Sequence, residues 1–420
     1  MVFAPVFFGP QQPKRPHGVT IMLPDHDHRQ LAQRLDLFHF QEEAPGMAFW
    51  HKNGLILHRI LEQRARELFL RQGYEEVRTP LLVRRPLWEV SGHWQHFAEG
   101  MFKFTDQSEQ AALKPVNCPG HVQLLQRRVI SYRDLPVRLA EFGCVHRDEP
   151  AGALHGLLRL RQFTQDDGHI FCTEAQAALE IAAFCHSVRP FYAAFGFDTI
   201  QVALSTRPQQ RVGSDEFWDR AEATLREALE MLGLPFDIVE GGGAFYGPKI
   251  EFSLRDKQGR HWQCGTIQFD FFMPERFGLH YVAETGKREP LVMLHRALYG
   301  SLERFLGVLL EHYGAALPLW LAPLQILVIP IGPAQAPAAK ELACKLREAG
   351  LRCELDERDE NLSQKLADAH QRTVPYQVIL GSRELLGGNI SLRGNGKQRV
   401  LPLLDCVPEL SRLSAAPELS

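Results

Sequence analysis

The stretch Arg159–His169, RLRQFTQDDGH, decides how the larger part of this chain is read. In an extended strand, side chains two apart share a face. Arg159, Arg161, Phe163, Gln165, Asp167 and His169 then stand together, facing away from Leu158 and Leu160. Cations, a ring, an amide and acids in one row make poor core, because each buried charge needs a partner. Residues 137–147 and 157–172 alternate like paired strands, and the Gly/Pro-rich DEPAGALHG between them reads as their connection. Arg147 has the parity of Glu141, Gly143 and Val145 and so faces the same cleft. Two readings of this polar face stay open. It is the solvated side of an antiparallel sheet, or a floor for a charged, flat ligand, with Phe163 stacking on a ring and Arg159 meeting phosphate.

Upstream, Leu55, Leu57, Ile60, Leu61, Ala65, Leu68 and Phe69 recur at helical spacing between His51 and Gln72. Gly73 follows as a C-cap, and EEVRTPLLV reads as a short strand. Downstream, residues 176–194 are helical, LSTRP and Glu251–Leu254 are strand-like, and PLVMLHR is a strand feeding a helix from about Leu298 to His312. After a break at Gly314–Pro323 the rhythm becomes strand (QILVIPI), helix (Pro337–Glu348), strand (LRCEL), helix (around Ser363–Gln371), strand (YQVILG). That alternation predicts a small parallel α/β domain. The resulting division is an extended proline-rich arm over 1–24, an antiparallel sheet with flanking helices over 25–317, and the α/β domain over 318–420.

Hydrophobic content of 45% and charged content of 23% describe a globular chain. A net charge of −3 announces no nucleic-acid partner, so any such contact comes from local patches. No apolar run approaches the ~20 residues that span a bilayer, and the N-terminus does not have the order of a secretory signal. A cytoplasmic protein without a membrane partner is the expectation. Its eight cysteines form no CxxC pair, which in a reducing compartment means mostly small buried hydrophobes.

Arg147 and Arg304, the latter early in the helix after PLVMLHR, are separated arginines around one cleft, an arrangement suited to a triphosphate. Cys118, His169 and His295 are far apart in sequence, so spacing alone gives no zinc signature.

In order along the chain, KPVNCPGH, HRDEPAGALHGL, FTQDDGHIF, GGAFYGPKIEF, WQCGTIQFDF and VMLHRALYGSLERF resemble the bacterial threonyl-tRNA synthetases, from about Asp25 to the C-terminus. The resemblance implies a class II synthetase catalytic domain of the α+β kind, its antiparallel sheet flanked by helices, and a C-terminal α/β anticodon-binding domain. The three class II signatures correspond to the segment ending in Arg78-Thr79-Pro80, which in the family builds a homodimer interface, the hairpin carrying Arg147, and the helix carrying Arg304.

Carried over residue by residue, the resemblance makes Cys118, His169 and His295 ligands of one Zn²⁺ with open positions for the amino group and hydroxyl of L-threonine. Gln165, Asp167, Tyr246 and Gln268 match the residues around threonine. Arg147 would hold the threonine carboxylate against the ATP α-phosphate, Glu149 would read the adenine amino group, and Phe163 would stack on the ring. Arg304 would hold the γ-phosphate with Arg159, Lys249, Gln263 and Ser301 nearby, Mg²⁺ accompanying ATP. His93, in SGHWQHF, is the candidate base for transfer to the tRNA ribose hydroxyl, and Glu384 and Arg393 match anticodon-reading positions.

Typical bacterial members carry a ubiquitin-like domain and an editing domain before the catalytic region, so this sequence resembles a short form in which mischarging with serine is tolerated, corrected by an editing protein acting in trans, or limited by a tighter pocket. From Leu319 onward there are twelve basic and twelve acidic residues, with acids at Glu354, Asp356, Glu357, Asp359 and Glu360. A phosphate-binding surface usually has a basic bias. Asp359 stands where relatives tend to have asparagine, and SLRGNGKQR departs from their arginine-rich loop. The alternative expectation is a threonine-activating paralogue that serves inhibitor resistance or a non-translational acceptor.

Overall fold

The computed structural model describes residues 25–106, 108–394 and 396–419. The expected arm over 1–24 lies outside the described residues. The helical spacing upstream of the decisive strand pair forms α1, Lys52–Arg71, which buries Leu57, Leu61, Ala65, Leu68 and Phe69 along one stripe. Gly73, at φ +70°, turns the chain out of it, a conformation that costs a side chain and not glycine.

EEVRTPLLV is not one strand. Glu75–Glu76 (β1) runs parallel to Val137–His146 (β2) at a sheet edge. Leu82–Arg84 pairs instead with Glu109–Leu113 in a separate three-stranded sheet. Pro80 between them has no N–H for a ladder, and the Thr79 N–H goes to the Glu141 carboxylate at 2.9 Å.

Gln162–Cys172 (β3) pairs antiparallel with β2 and sets odd-numbered residues opposite one another, as the shared parity implies: Glu141 opposite Asp167, Gly143 opposite Gln165 and Val145 opposite Phe163. It starts later than the alternation suggests. Residues 156–158 form a 3₁₀ turn whose Leu157 N–H donates to His28 Nε2 at 3.0 Å, and the Arg161 N–H goes to Gly46 O at 2.8 Å. With its backbone engaged elsewhere, that segment has no ladder to join. Arg161 leaves the polar row and donates through Nε to Glu149 O at 2.8 Å.

The sheet is completed by Ile200–Ser205 (β4), Asp237–Val239 (β5), Lys249–Arg255 (β6), His261–Asp270 (β7) and Val292–Ala297 (β8), in the order β5-β4-β6-β7-β8-β3-β2-β1. The interior pairings are antiparallel and both edge pairings parallel. Cys118–Leu125 (α2) and Glu174–Ala194 (α3) flank it, the latter started by a capping box between Thr173 and Gln176. The helix after β8, Leu302–Tyr313 (α4), starts at Leu302 and not at Leu298. The reason is the buried Asp166 carboxylate, which takes the N–H groups of Leu298 and Tyr299 at 2.6 and 3.0 Å, while the Ser301 side chain caps the helix.

The C-terminal sheet joins Ile326–Pro330 (β9), Cys353–Leu355 (β10), Tyr376–Leu380 (β11), Asn389–Gly394 (β12) and Lys397–Pro402 (β13) in the order β10-β9-β11-β12-β13. The first three are parallel as expected, but β12 and β13 form an antiparallel hairpin on β11, so the sheet is mixed. The hairpin was illegible because β13 is exposed through most of its length and so lacks an apolar alternation. Helices Ala336–Glu348 (α5) and Leu362–Gln371 (α6) complete this part, with a core of its own around Ile326, Leu342, Val378 and Leu392. Among the described residues, no helix is long and apolar enough to cross a membrane.

Candidate active site

One register row runs across the middle of the large sheet. His169 on β3 lies opposite His295 on β8, His295 opposite Gln268 on β7, and Gln268 opposite Lys249 on β6. Pairing alone therefore sets four polar side chains from distant segments side by side. Above this row opens a cavity of about 360 Å³. It takes in every residue expected around metal, threonine and ATP, together with His93. Arg161, though of the right parity, is not among its lining residues.

At one end, ligand atoms of Cys118, His169 and His295 lie within 4.8 Å of one another. Cys118 arrives at the first turn of α2, with Pro119 beside it. His295 Nε2 is 2.8 Å from Asp270 Oδ2 and His169 Nδ1 is 2.7 Å from His121 Nδ1, while His169 Nε2 and His295 Nδ1 face each other at 3.0 Å. Asp270 accepts from His295 Nε2–H, which leaves the lone pair of Nδ1 pointing inward. Burial, then the Asp167 and Asp270 carboxylates, pushes the Cys118 thiol well above its ordinary value. Its thiolate therefore needs a cation beside it. One thiolate and two imidazoles with inward lone pairs form a donor set suited to zinc, and three protein ligands leave room for a further one.

Next to this trio, the Asn117 amide donates to Asp167 Oδ2 at 3.0 Å. Asn117 is 1% exposed, and its own Oδ1 has no partner among the described residues. Gln268 donates to Gly247 O at 3.1 Å, which fixes its amide. Tyr246 closes the cavity, its ring centroid 5.6 Å from that of His295, and burial pushes its phenol well up.

At the other end the arginines are held by backbone oxygens. Arg304 donates to Gln263 O at 3.1 Å and Leu158 O at 3.0 Å, and Arg147 donates to Pro115 O at 3.2 Å with its guanidinium 5.2 Å from the Phe163 ring centroid. Burial lowers the pKa of both, a cost that an anionic ligand would offset. Arg159 is paired with Glu149 at 2.7 Å, Lys249 with Glu251 at 2.6 Å, and Gln263 also donates to Glu251.

Ser91 Oγ donates to Trp88 O at 3.2 Å, so it accepts from His93 Nδ1–H at 2.9 Å. The His93 Nε2 lone pair is left for the cavity. Burial, with His295 and Arg147 nearby, holds this ring down at about 3. It is neutral at working pH and a weak base.

Glu384, on the short helix Ser382–Leu386, and Arg393, exposed on β12, lie outside the cavity. Of the acids in the preceding run, Asp356 is buried and takes Arg358, while Asp359 is exposed. The sequence reading passed over Asp270, His121 and Asn117 as site residues. Asp270 shares strand parity with Gln268, and His121 lies three residues from Cys118 on one helix face. Both signals were present but small.

The family model of the tRNA synthetase class II core domain (G, H, P, S and T) matches residues 102–313, and that of an anticodon binding domain matches 325–413. The chain is 52% identical over 372 residues to the threonine--tRNA ligase of Thiobacillus denitrificans and 54% identical over 367 residues to that of Methylococcus capsulatus. These alignments cover 89% and 87% of this chain, which spans 58% of the length of each relative. A solved structure described as the RNA binding domain of threonyl-tRNA synthetase from Cryptosporidium parvum Iowa II superposes with a TM-score of 0.87 at 37% identity, covering 92% of this chain and 98% of that one.

Proposed function

The chain belongs to the threonyl-tRNA synthetases of class II, and from that premise we propose that it activates L-threonine with ATP and transfers it to threonine tRNA. One observation carries the reading: a thiol and two imidazoles converge on the same cavity as two partly buried arginines. Cys118, His169 and His295 would hold zinc, which when bound supplies open positions for the amino group and hydroxyl of threonine. Asp167, fixed by Asn117, accepts from that hydroxyl, and Gln165, Tyr246 and Gln268 orient the rest of the amino acid. Arg147 brings the threonine carboxylate against the ATP α-phosphate. Phe163 stacks on adenine, and Glu149 accepts from its amino group. Arg304 holds the γ-phosphate with Arg159, Lys249, Gln263 and Ser301 around it, and Mg²⁺ accompanies the nucleotide.

The attacking carboxylate is already ionised, so the first step needs no protein base. Positioning and charge stabilisation carry it. In the second step the His93 Nε2 lone pair accepts from the attacking ribose hydroxyl. Its low basicity suits orienting that hydroxyl better than storing its proton, which would pass to the phosphate of AMP as the new ester bond forms and the acyl–phosphate bond of the adenylate breaks.

Residues 25–317 are the catalytic domain and 318–420 the anticodon-binding domain, with Glu384 and Arg393 meeting the anticodon. A homodimer through the region of Arg78–Pro80 and a cytoplasmic location complete the proposal. Threonine-dependent pyrophosphate exchange and charging of threonine tRNA transcripts test it. Both activities are expected. Exchange without charging selects a threonine-activating paralogue with another acceptor, and no exchange refutes the reading.

A further inference from the structure

Behind the proposed metal ligands runs a chain of fully buried polar groups that the mechanism above does not use. Lys114 and Glu141 are each 2% exposed, and His121 is wholly buried. Lys114 Nζ donates to Glu141 Oε1 at 2.9 Å and to Thr79 Oγ1 at 2.8 Å. The Thr79 N–H and Oγ1–H donate to the two Glu141 oxygens at 2.9 and 2.8 Å. His121 Nε2 is 3.2 Å from Glu141 Oε2, and His121 Nδ1 is 2.7 Å from His169 Nδ1.

Donor and acceptor roles follow in sequence along this chain. Burial alone raises the Glu141 carboxyl, but bonds from His121, Thr79 and Lys114 outweigh it and hold it at about 2. As a carboxylate it only accepts, so His121 donates through Nε2–H. His121 Nδ1 then carries a lone pair and accepts from His169 Nδ1–H. His169 is left with its lone pair on Nε2, turned toward Cys118 and His295.

We propose that His121, anchored by Glu141 and Lys114, is a positioning residue that sets the tautomer and ring plane of His169 for metal binding. The reason is geometric. A histidine that has its distal nitrogen held by an acceptor presents the other nitrogen already stripped of its proton and aimed, and removal of such partners typically weakens metal affinity about 10- to 100-fold. Asp270 does the same for His295 directly, through a carboxylate 2.8 Å from Nε2. For His169 the carboxylate stands one imidazole further back, so the orienting signal passes through His121.

This inference rests on the metal reading above, and the test separates the two. Zinc affinity of the full chain is measured by competition with a chromophoric chelator, for the wild type, His121→Phe and His121→Asn. Phe keeps a ring but has no acceptor, whereas the Asn side-chain oxygen can stand near the former Nδ1. Zinc binding by the wild type, about 10- to 100-fold weaker binding by His121→Phe, and recovery of most of that loss by His121→Asn are expected. Nitrogen-15 spectra of the wild-type imidazoles give an answer that requires no variant to fold: His169 carries its proton on Nδ1 in the zinc-free chain. No zinc uptake by the wild type refutes the metal reading itself. Wild-type uptake with undiminished binding by His121→Phe, or a His169 proton on Nε2, overturns the role of His121 alone.

Discussion

Replacing Gly143 by alanine would weaken threonine activation through a residue it does not resemble. Gly143 lies on β2 opposite Gln165, and a Cβ built there stands 2.3 Å from Asn117 Oδ1 and 2.4 Å from Nδ2. Contacts that short do not persist, so Asn117 has to swing away. Its 3.0 Å bond to the Asp167 carboxylate then breaks. A hydrogen bond to a charged group contributes ~1.5–3 kcal/mol, which corresponds to roughly a 10- to 150-fold loss in kcat/KM for threonine. The KM for ATP is expected to stay near its original value, because Asn117 sits at the end proposed to hold threonine, beside Asp167. Pyrophosphate exchange at varied threonine reads the loss, and a thermal melt excludes unfolding. Asn117→Ala provides the decisive comparison. It loses the same bond and also makes room for the alanine methyl, so the double variant matches Asn117→Ala and is not the product of the two losses. Full activity of Gly143→Ala, or multiplicative losses in the double variant, would refute the reasoning.

Three other outcomes follow from the same geometry. Serine keeps the hydroxyl of threonine and lacks one methyl, worth ~1–3 kcal/mol, so serine-dependent exchange is expected at roughly 1/10 to 1/200 of the threonine kcat/KM; a ratio below ~10⁻⁴ contradicts the pocket described. His58 is buried against Glu303 and Glu62; burial opposes its charge, but hydrogen bonds to those carboxylates raise it to about 9. Its stabilisation, on the order of 3 kcal/mol, is complete below pH 6.5 and is lost as pH rises through about 9, so denaturant melts should weaken over that window and His58→Asn should flatten the trend. Because His93 is held at about 3, it stays neutral from pH 5 to 8, and single-turnover transfer to tRNA should show no limb in that range that His93→Ala abolishes.

The composition, the strand alternation around RLRQFTQDDGH and the helical stripe from Leu57 to Phe69 were legible in the sequence because they are local. A period of two or 3.6 needs no distant partner to be read. The motifs likewise pointed to the residues that line the cavity, since each is a contiguous string of side chains. What local pattern could not decide was where backbone hydrogen bonds go when a distant group competes for them. Asp166 delayed α4 by taking the N–H groups of Leu298 and Tyr299, Pro80 and Glu141 divided EEVRTPLLV between two sheets, and Gly46 with His28 drew residues 157–161 out of β3. The convergence of Cys118, His169 and His295 belongs to the same class. It arises from strand register and the start of one helix, and so do Asn117 and His121, whose roles exist only through groups far away in the chain. Tertiary structure alone decided these, because a hydrogen bond or a ligand set is a relation between segments, and sequence order does not record which segments become neighbours.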